Sequence, residues 1–123
     1  MKPYGKELIL DIHECNPSTF TRASLKKYFK ELCKLIDMER CDLHFWDYQG
    51  DTDGYEKAEN HLKGTSAIQF ITTSNITIHT LDILERVYVN IFSCRDFSGP
   101  KVEMFTRNWF GGRIVHTEVI DRK

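Results

Sequence analysis

The chain has 123 residues, 41% of them hydrophobic and 28% charged, with a formal net charge of −1 at pH 7. That balance suits one domain over residues 1–123, soluble and with a small core. It excludes a broad basic field for nucleic acid, and no apolar run approaches the roughly 20 residues a membrane span requires.

The N-terminal stretch "MKPYGKELIL" carries charge close to its short apolar run and lacks a signal-peptide core. Four cysteines, Cys15, Cys33, Cys41 and Cys94, form no C-x-x-C pair and no zinc spacing. The expectation is a reduced, cytoplasmic protein with free thiols. "KELILDIHEC" (6–15) alternates Leu8, Leu10 and Ile12 against Glu7, Asp11 and His13, which predicts a strand with one buried face. Pro17 and several possible N-caps follow. Leu25, Tyr28, Phe29, Leu32, Leu35 and Ile36 then recur at helical spacing, predicting an amphipathic helix over about 21–37. Lys26, Lys27, Lys30 and Lys34 fall on its solvated face.

"CDLHFWDY" (41–48) reads as a second strand, and "QGDTDGYEKAENHLKG" (49–64) as a long polar loop, a kind that often carries function. Its "DTDG" lacks the bidentate Glu of a calcium loop and reads as a solvated turn. "TSAIQFITT" and "NITIHTL" are two more strands meeting near Thr73–Ser74, and "RVYVNIFSC" (86–94) alternates as a fifth. "GPKVEMFTRNWFGG" (99–112) has Pro early, an apolar stripe of Val102, Phe105 and Trp109, and Gly at its end, which predicts a second helix. "RIVHTEVIDR" closes the chain as a strand. The order β-α-β-β-β-β-α-β implies an α+β two-layer sandwich, a mainly antiparallel sheet with two helices on one face. His44, His61 and His116 are scattered, and no metal site is expected from them.

"TTSNITIHT" (72–80) concentrates hydroxyls around one histidine. Alone, Ser74 reads as a turn residue, His79 as a strand histidine and Cys94 as a buried small hydrophobe. Taken together with "GTS" ending at Ser66 and "FSC" ending at Cys94, the run resembles the pyruvoyl-dependent S-adenosylmethionine decarboxylases of prokaryotes, whose central motif is E-S-H-[LI]-S-I-H-T followed by a cysteine. "GKELILDIHECNP" resembles the same family's first strand, and the likeness covers nearly the whole chain apart from 49–63.

The resemblance implies that the Thr73–Ser74 bond is cleaved and that Ser74 becomes a covalent pyruvoyl group, with no metal. It implies that His79 and Ser66 assist this processing, and that Cys94 is the proton donor after loss of CO₂. It implies S-adenosylmethionine as substrate, in the synthesis of polyamines such as spermidine, and a homodimer with shared active sites. The chain departs from the family at Thr73 (usually Glu), at Asn75 (usually His) and at Leu81-Asp82-Ile83 (usually Trp-Pro-Glu). The 49–63 segment is also longer than usual. These departures leave another amino acid, such as arginine or ornithine, and an uncleaved ligand-binding homologue as alternatives. Phe45 and Trp46 are candidates for adenine stacking, or equally for the core.

Spacing adds its own constraint. A hairpin turning near Thr73–Ser74 puts His79 roughly opposite Ile68 and diagonal to Ser66, and pairing of 76–80 with 86–94 puts Cys94 near Ser74. His79 sits five residues along the strand from Ser74, about 17 Å at 3.3 Å per residue. A two-fold dimer is then needed to bring Ser66 and His79 of one chain onto Ser74 and Cys94 of the other.

Overall fold

The computed structural model describes residues 2–123. Strands β1 (Gly5–His13), β2 (Arg40–Trp46), β3 (Gly64–Ile71), β4 (Ser74–Leu81), β5 (Arg86–Ser93) and β6 (Arg113–Arg122) form one sheet. Its order is β2-β3-β4-β5-β1-β6, and all of its pairs are antiparallel. Helices α1 (Arg22–Leu35) and α3 (Gly99–Phe110) pack on one face, so the expected α+β two-layer sandwich is the fold observed.

Local signals set the ends of both helices. The Thr21 hydroxyl accepts from the Ser24 N–H at 3.1 Å and opens α1; the Ser98 hydroxyl accepts from the Lys101 N–H at 3.3 Å and opens α3. Gly111 ends α3 at φ 67°, a left-handed conformation that favours glycine. Leu25, Tyr28, Phe29, Leu32 and Cys33 of α1 are buried at helical spacing, and all four predicted lysines stay exposed.

The inward face of the sheet alternates as expected. Leu10, Val89, Ile78 and Ala67 form one continuous row across β1, β5, β4 and β3, each buried. Tyr28 ties the two helices over this floor. It is fully buried, its hydroxyl lies 2.8 Å from Thr106 Oγ1, and its ring packs against Phe105 and Phe110 at 5.6 and 5.0 Å. Burial pushes the Tyr28 phenol well above its ordinary value, so it stays neutral at any working pH.

The 49–63 segment differs from the predicted loop. It contains a short helix, α2 (Thr52–Lys57), and a 3-10 turn at Asn60–Leu62. Asp51 caps α2 by accepting from the Gly54 N–H at 2.9 Å, with Asp53 in its first turn and Lys57 in its last. The "DTDG" turn is thus a helix start. The segment has no apolar stripe, and hydrophobic periodicity had nothing to register.

Truncating Tyr28 to Phe leaves the buried Thr106 hydroxyl without its partner. The expected cost is about 1–2 kcal/mol of stability, read as a lower urea midpoint with an unchanged slope.

Candidate functional site

The hairpin between β3 and β4 is closed by the pair Ile71–Ser74, leaving Thr72 and Thr73 as a two-residue loop. Thr73 has φ 53°, a left-handed conformation uncommon for a β-branched residue. Such a residue stores on the order of 1–3 kcal/mol of strain, here immediately before the Thr73–Ser74 peptide bond.

The β4–β5 register pairs Asn75 with Phe92 and so brings the end of β5 beside Ser74. There the Ser93 hydroxyl accepts from the Arg95 N–H at 3.0 Å and donates to the Arg95 carbonyl at 2.7 Å, which bends the chain out of the strand. Cys94 swings back over the hairpin as a result. Its N–H donates to Ser74 Oγ at 3.1 Å, and its sulfur lies 3.7 Å from Ser74 Oγ and 3.2 Å from Thr73 Oγ1. A cavity of about 310 Å³ opens here, walled by Thr73, Ser74, Cys94 and Arg95.

Hydrogen bonds from the Thr73 and Ser74 hydroxyls, with a smaller one from Tyr4, hold the Cys94 thiol below its ordinary value against a small opposing effect of burial. Burial instead pushes Cys15 and Cys33 up to about 11. Of these three thiols, Cys94 is the one whose surroundings favour the thiolate rather than oppose it.

At the other end of the hairpin, Ser66 and His79 are direct cross-strand partners, and Ser66 Oγ lies 2.7 Å from His79 Nδ1. The pairing differs by two residues from the expected His79–Ile68 opposition. The loop falls at Thr72–Thr73 rather than at Thr73–Ser74, and every β3 partner moves accordingly. Trp46, Tyr48, His61, Leu62, Ser66 and His79 line a cavity of about 250 Å³. Ser74 is buried on the helix side of β4, while His79 lies on the open face. The structure thus brings Ser74 to Cys94 and Ser66 to His79, but keeps these pairs apart, about 17 Å along the strand and on opposite faces.

Phe45 and Trp46 are separated by the pleat. Phe45 pairs with buried Ala67 and packs against the core, with the Arg22 guanidinium 5.2 Å from its ring. Trp46 pairs with Ser66, is 62% exposed and meets Tyr48 edge-on at 5.3 Å. Only Trp46 shares the Ser66–His79 face. Its neighbour Asp47 is fixed by a two-pronged bond from Arg22, 2.7 Å at each oxygen, which holds the Asp47 carboxyl below the usual carboxylate range.

The sequence reading missed Tyr4, Tyr48, His61, Tyr55 and Asp82 as parts of these surroundings. Tyr55 donates to Asp82 Oδ2 at 2.9 Å, and the Asp82 N–H donates to the Lys63 carbonyl at 2.8 Å, which docks the α2 segment against the end of β4. Asp82 and the 49–63 segment are therefore one structural feature. Their shared position outside the matched motif was the available signal. Among the described residues no cluster of His, Cys, Asp or Glu could hold a metal ion, and no helix is long and apolar enough to cross a membrane.

A comparison with curated protein sequences finds no match. Among solved structures, the chain is similar to the adenosylmethionine decarboxylase from Aquifex aeolicus VF5, at 16% identity and a TM-score of 0.77, covering 99% of this chain and 92% of that one. At that identity the likeness speaks for the fold. The model of the S-adenosylmethionine decarboxylase family matches residues 6–123, nearly the whole length and both halves of the hairpin site. The chain belongs to the S-adenosylmethionine decarboxylase family.

Proposed function

We propose that this protein is a self-processing, pyruvoyl-dependent decarboxylase of S-adenosylmethionine, acting in the cytoplasm in the synthesis of polyamines such as spermidine. The observation that carries the reading is the Thr73–Ser74–Cys94 cluster, at family spacing, on a strained hairpin loop. In the processing reaction Ser74 Oγ attacks the Thr73 carbonyl carbon, and the amide C–N bond breaks with a proton going to nitrogen. Loss of the residue-74 Cα proton then expels the Thr73 carboxylate and splits the chain. Water replaces the nitrogen at the new N-terminus, and ammonia leaves. The left-handed backbone at Thr73 favours this step, because release of the peptide relieves it.

The hairpin end fits a pyruvoyl group at position 74, since removing the Ser74 hydroxyl leaves the Cys94 N–H free to donate to a carbonyl oxygen there. When present, that group supplies the electron sink for loss of CO₂. On this reading Cys94, beside Ser74, returns a proton to the substrate carbon, and Ser66 and His79 move the processing protons.

Those last two residues cannot serve Ser74 of their own chain, and the proposal includes a homodimer. The sheet face opposite the helices supports it: Ile68 is 37%, Phe70 42% and Ile120 37% exposed there. A second copy packed two-fold across that face carries its own Ser66–His79 pair toward this chain's Ser74 end. A second reading, the same chemistry on arginine or ornithine, draws on the wall of the 250 Å³ cavity, where His61 comes from the inserted segment.

Three outcomes are expected. Intact mass of purified protein shows a fragment of residues 74–123 blocked by pyruvoyl and a second ending at Thr73. A chain that stays full-length after long incubation removes the enzyme reading in favour of an uncleaved ligand-binding homologue. Matured protein offered each candidate substrate releases CO₂ fastest from S-adenosylmethionine; faster release from arginine or ornithine selects the second reading. Cys94→Ala still cleaves but loses turnover by roughly 10²–10⁴-fold, the range of general acid–base catalysis.

The shared site is tested by complementation. A Ser74→Ala chain keeps Ser66 and His79, and a His79→Ala chain keeps Ser74 and Cys94. Co-expression restores cleavage of the His79→Ala chain at one of the two sites. Heterodimers that form yet remain uncleaved return His79 to its own chain.

A further inference from the structure

We propose that Thr73 is a positioning residue for Cys94: its hydroxyl accepts a hydrogen bond from the thiol and donates one to the thiolate, so the sulfur stays against residue 74 in either form.

Thr73 Oγ1 lies 3.2 Å from Cys94 Sγ and 2.8 Å from the Thr72 carbonyl oxygen. A hydroxyl has one proton and two lone pairs. While that proton goes to Thr72 O, a lone pair faces the sulfur and accepts from S–H. When the sulfur is ionised, the proton turns to it and the Thr72 carbonyl is released to water on the exposed loop. The left-handed backbone at φ 53° aims the side chain from the loop toward the end of β5. Ser74 completes the hold by accepting from the Cys94 N–H at 3.1 Å.

The two hydroxyls differ in their fate. On the processing reading above, the Ser74 hydroxyl is consumed, whereas the Thr73 hydroxyl survives at the end of the N-terminal fragment. The functional meaning of the pairing rests on that reading; the contact itself does not. The charged groups around the sulfur come close to cancelling. Lys2 and Lys6 stand on the N-terminal side, Arg95 and Asp96 on the loop after β5, Asp121 on β6 and Glu39 before β2. Lys6 is paired with Asp96 at 2.8 Å, and Arg95 with Asp37 at 3.4 Å. Hydroxyl donors, rather than a net positive field, are left to steady a thiolate. At the neighbouring position Asn75 no hydrogen bond to Cys94 competes with them.

The test is alkylation by iodoacetamide across pH in a Ser74→Ala chain, which stays uncleaved, with Cys94 followed by peptide mass. Adding Thr73→Val slows Cys94 alkylation at neutral pH by roughly three- to tenfold and moves the profile to higher pH, because the thiolate is the nucleophile. Thr73→Ser stays within about twofold of the parent, since the hydroxyl is what acts. Exposed Cys41 in the same samples keeps its rate. Buried Cys15 and Cys33 stay protected if the fold is intact; should Thr73→Val expose them, Thr73→Ala carries the same expectation without the β-branch. A hydroxyl-free variant whose profile overlays the parent overturns the proposal, as does Thr73→Ser reacting as slowly as Thr73→Val. The parent cannot cleave, so a negative result here leaves the processing proposal standing.

Discussion

The register of β4 against its two neighbours is the constraint on which the site depends. β4 pairs with β3 through the two-residue Thr72–Thr73 loop and with β5 through Asn75–Phe92. A slip of one residue would turn Ile76, Ile78 and Thr80 outward and bring His79 into the core. Three buried rows against Val87, Val89 and Ile91 oppose it. Gly64 pins the far end: a Cβ there would sit 1.8 Å from the Thr80 carbonyl oxygen, so the backbones approach only because the residue is glycine. The loop between these fixed points must then close in two residues, and Thr73 takes the left-handed conformation that closure demands.

The same register accounts for the two separate side-chain pairs. Residues an even number apart share a face, and residues an odd number apart do not. Ser66 meets His79 because they are opposed across β3 and β4; Ser74 and His79, five apart, cannot meet. A packed sheet offers no hinge that would bring them together, since its core rows interlock at near-crystalline density. Of the exposed apolar side chains on the open face, Ile68 and Phe70 on β3 stand between the two pairs, and Ile120 lies across the sheet on β6. Burial of that face by a second copy and completion of the site are in this sense a single requirement of the proposed function.

Much of this was legible in the sequence. The six strands and the two long helices follow from alternation, helical spacing and the Pro and Gly signals at helix ends, features that act over a few residues. The proximity of Ser74 and Cys94 follows from one short link between β4 and β5. The hairpin register was two residues off because loop length is set by backbone conformation at Thr73, which its side chain disfavours. Helix α2 is held by an Asp51 cap and by Tyr55 reaching Asp82, a partner 27 residues away, and has no periodicity of its own. The separation of Phe45 from Trp46 was available from the pleat alone, since adjacent strand residues face opposite ways.

Cys94 stands where that regular alternation stops. Cys15 and Cys33 lie inside regular packing, where the low-dielectric core disfavours a thiolate and leaves them inert. Cys94 would continue β5, but the two Ser93–Arg95 bonds lift it off the ladder and free its N–H for Ser74. One end of the sheet thereby brings together an N–H, the Thr73 and Ser74 hydroxyls and a sulfur. Serine at 93 is what makes this possible. An alanine there would preserve the inward packing and the strand, yet it would leave the chain free to run straight past the hairpin. The Thr73–Ser74–Cys94 cluster depends on a buried hydroxyl whose own hydrogen bonds go to Arg95 and Met38.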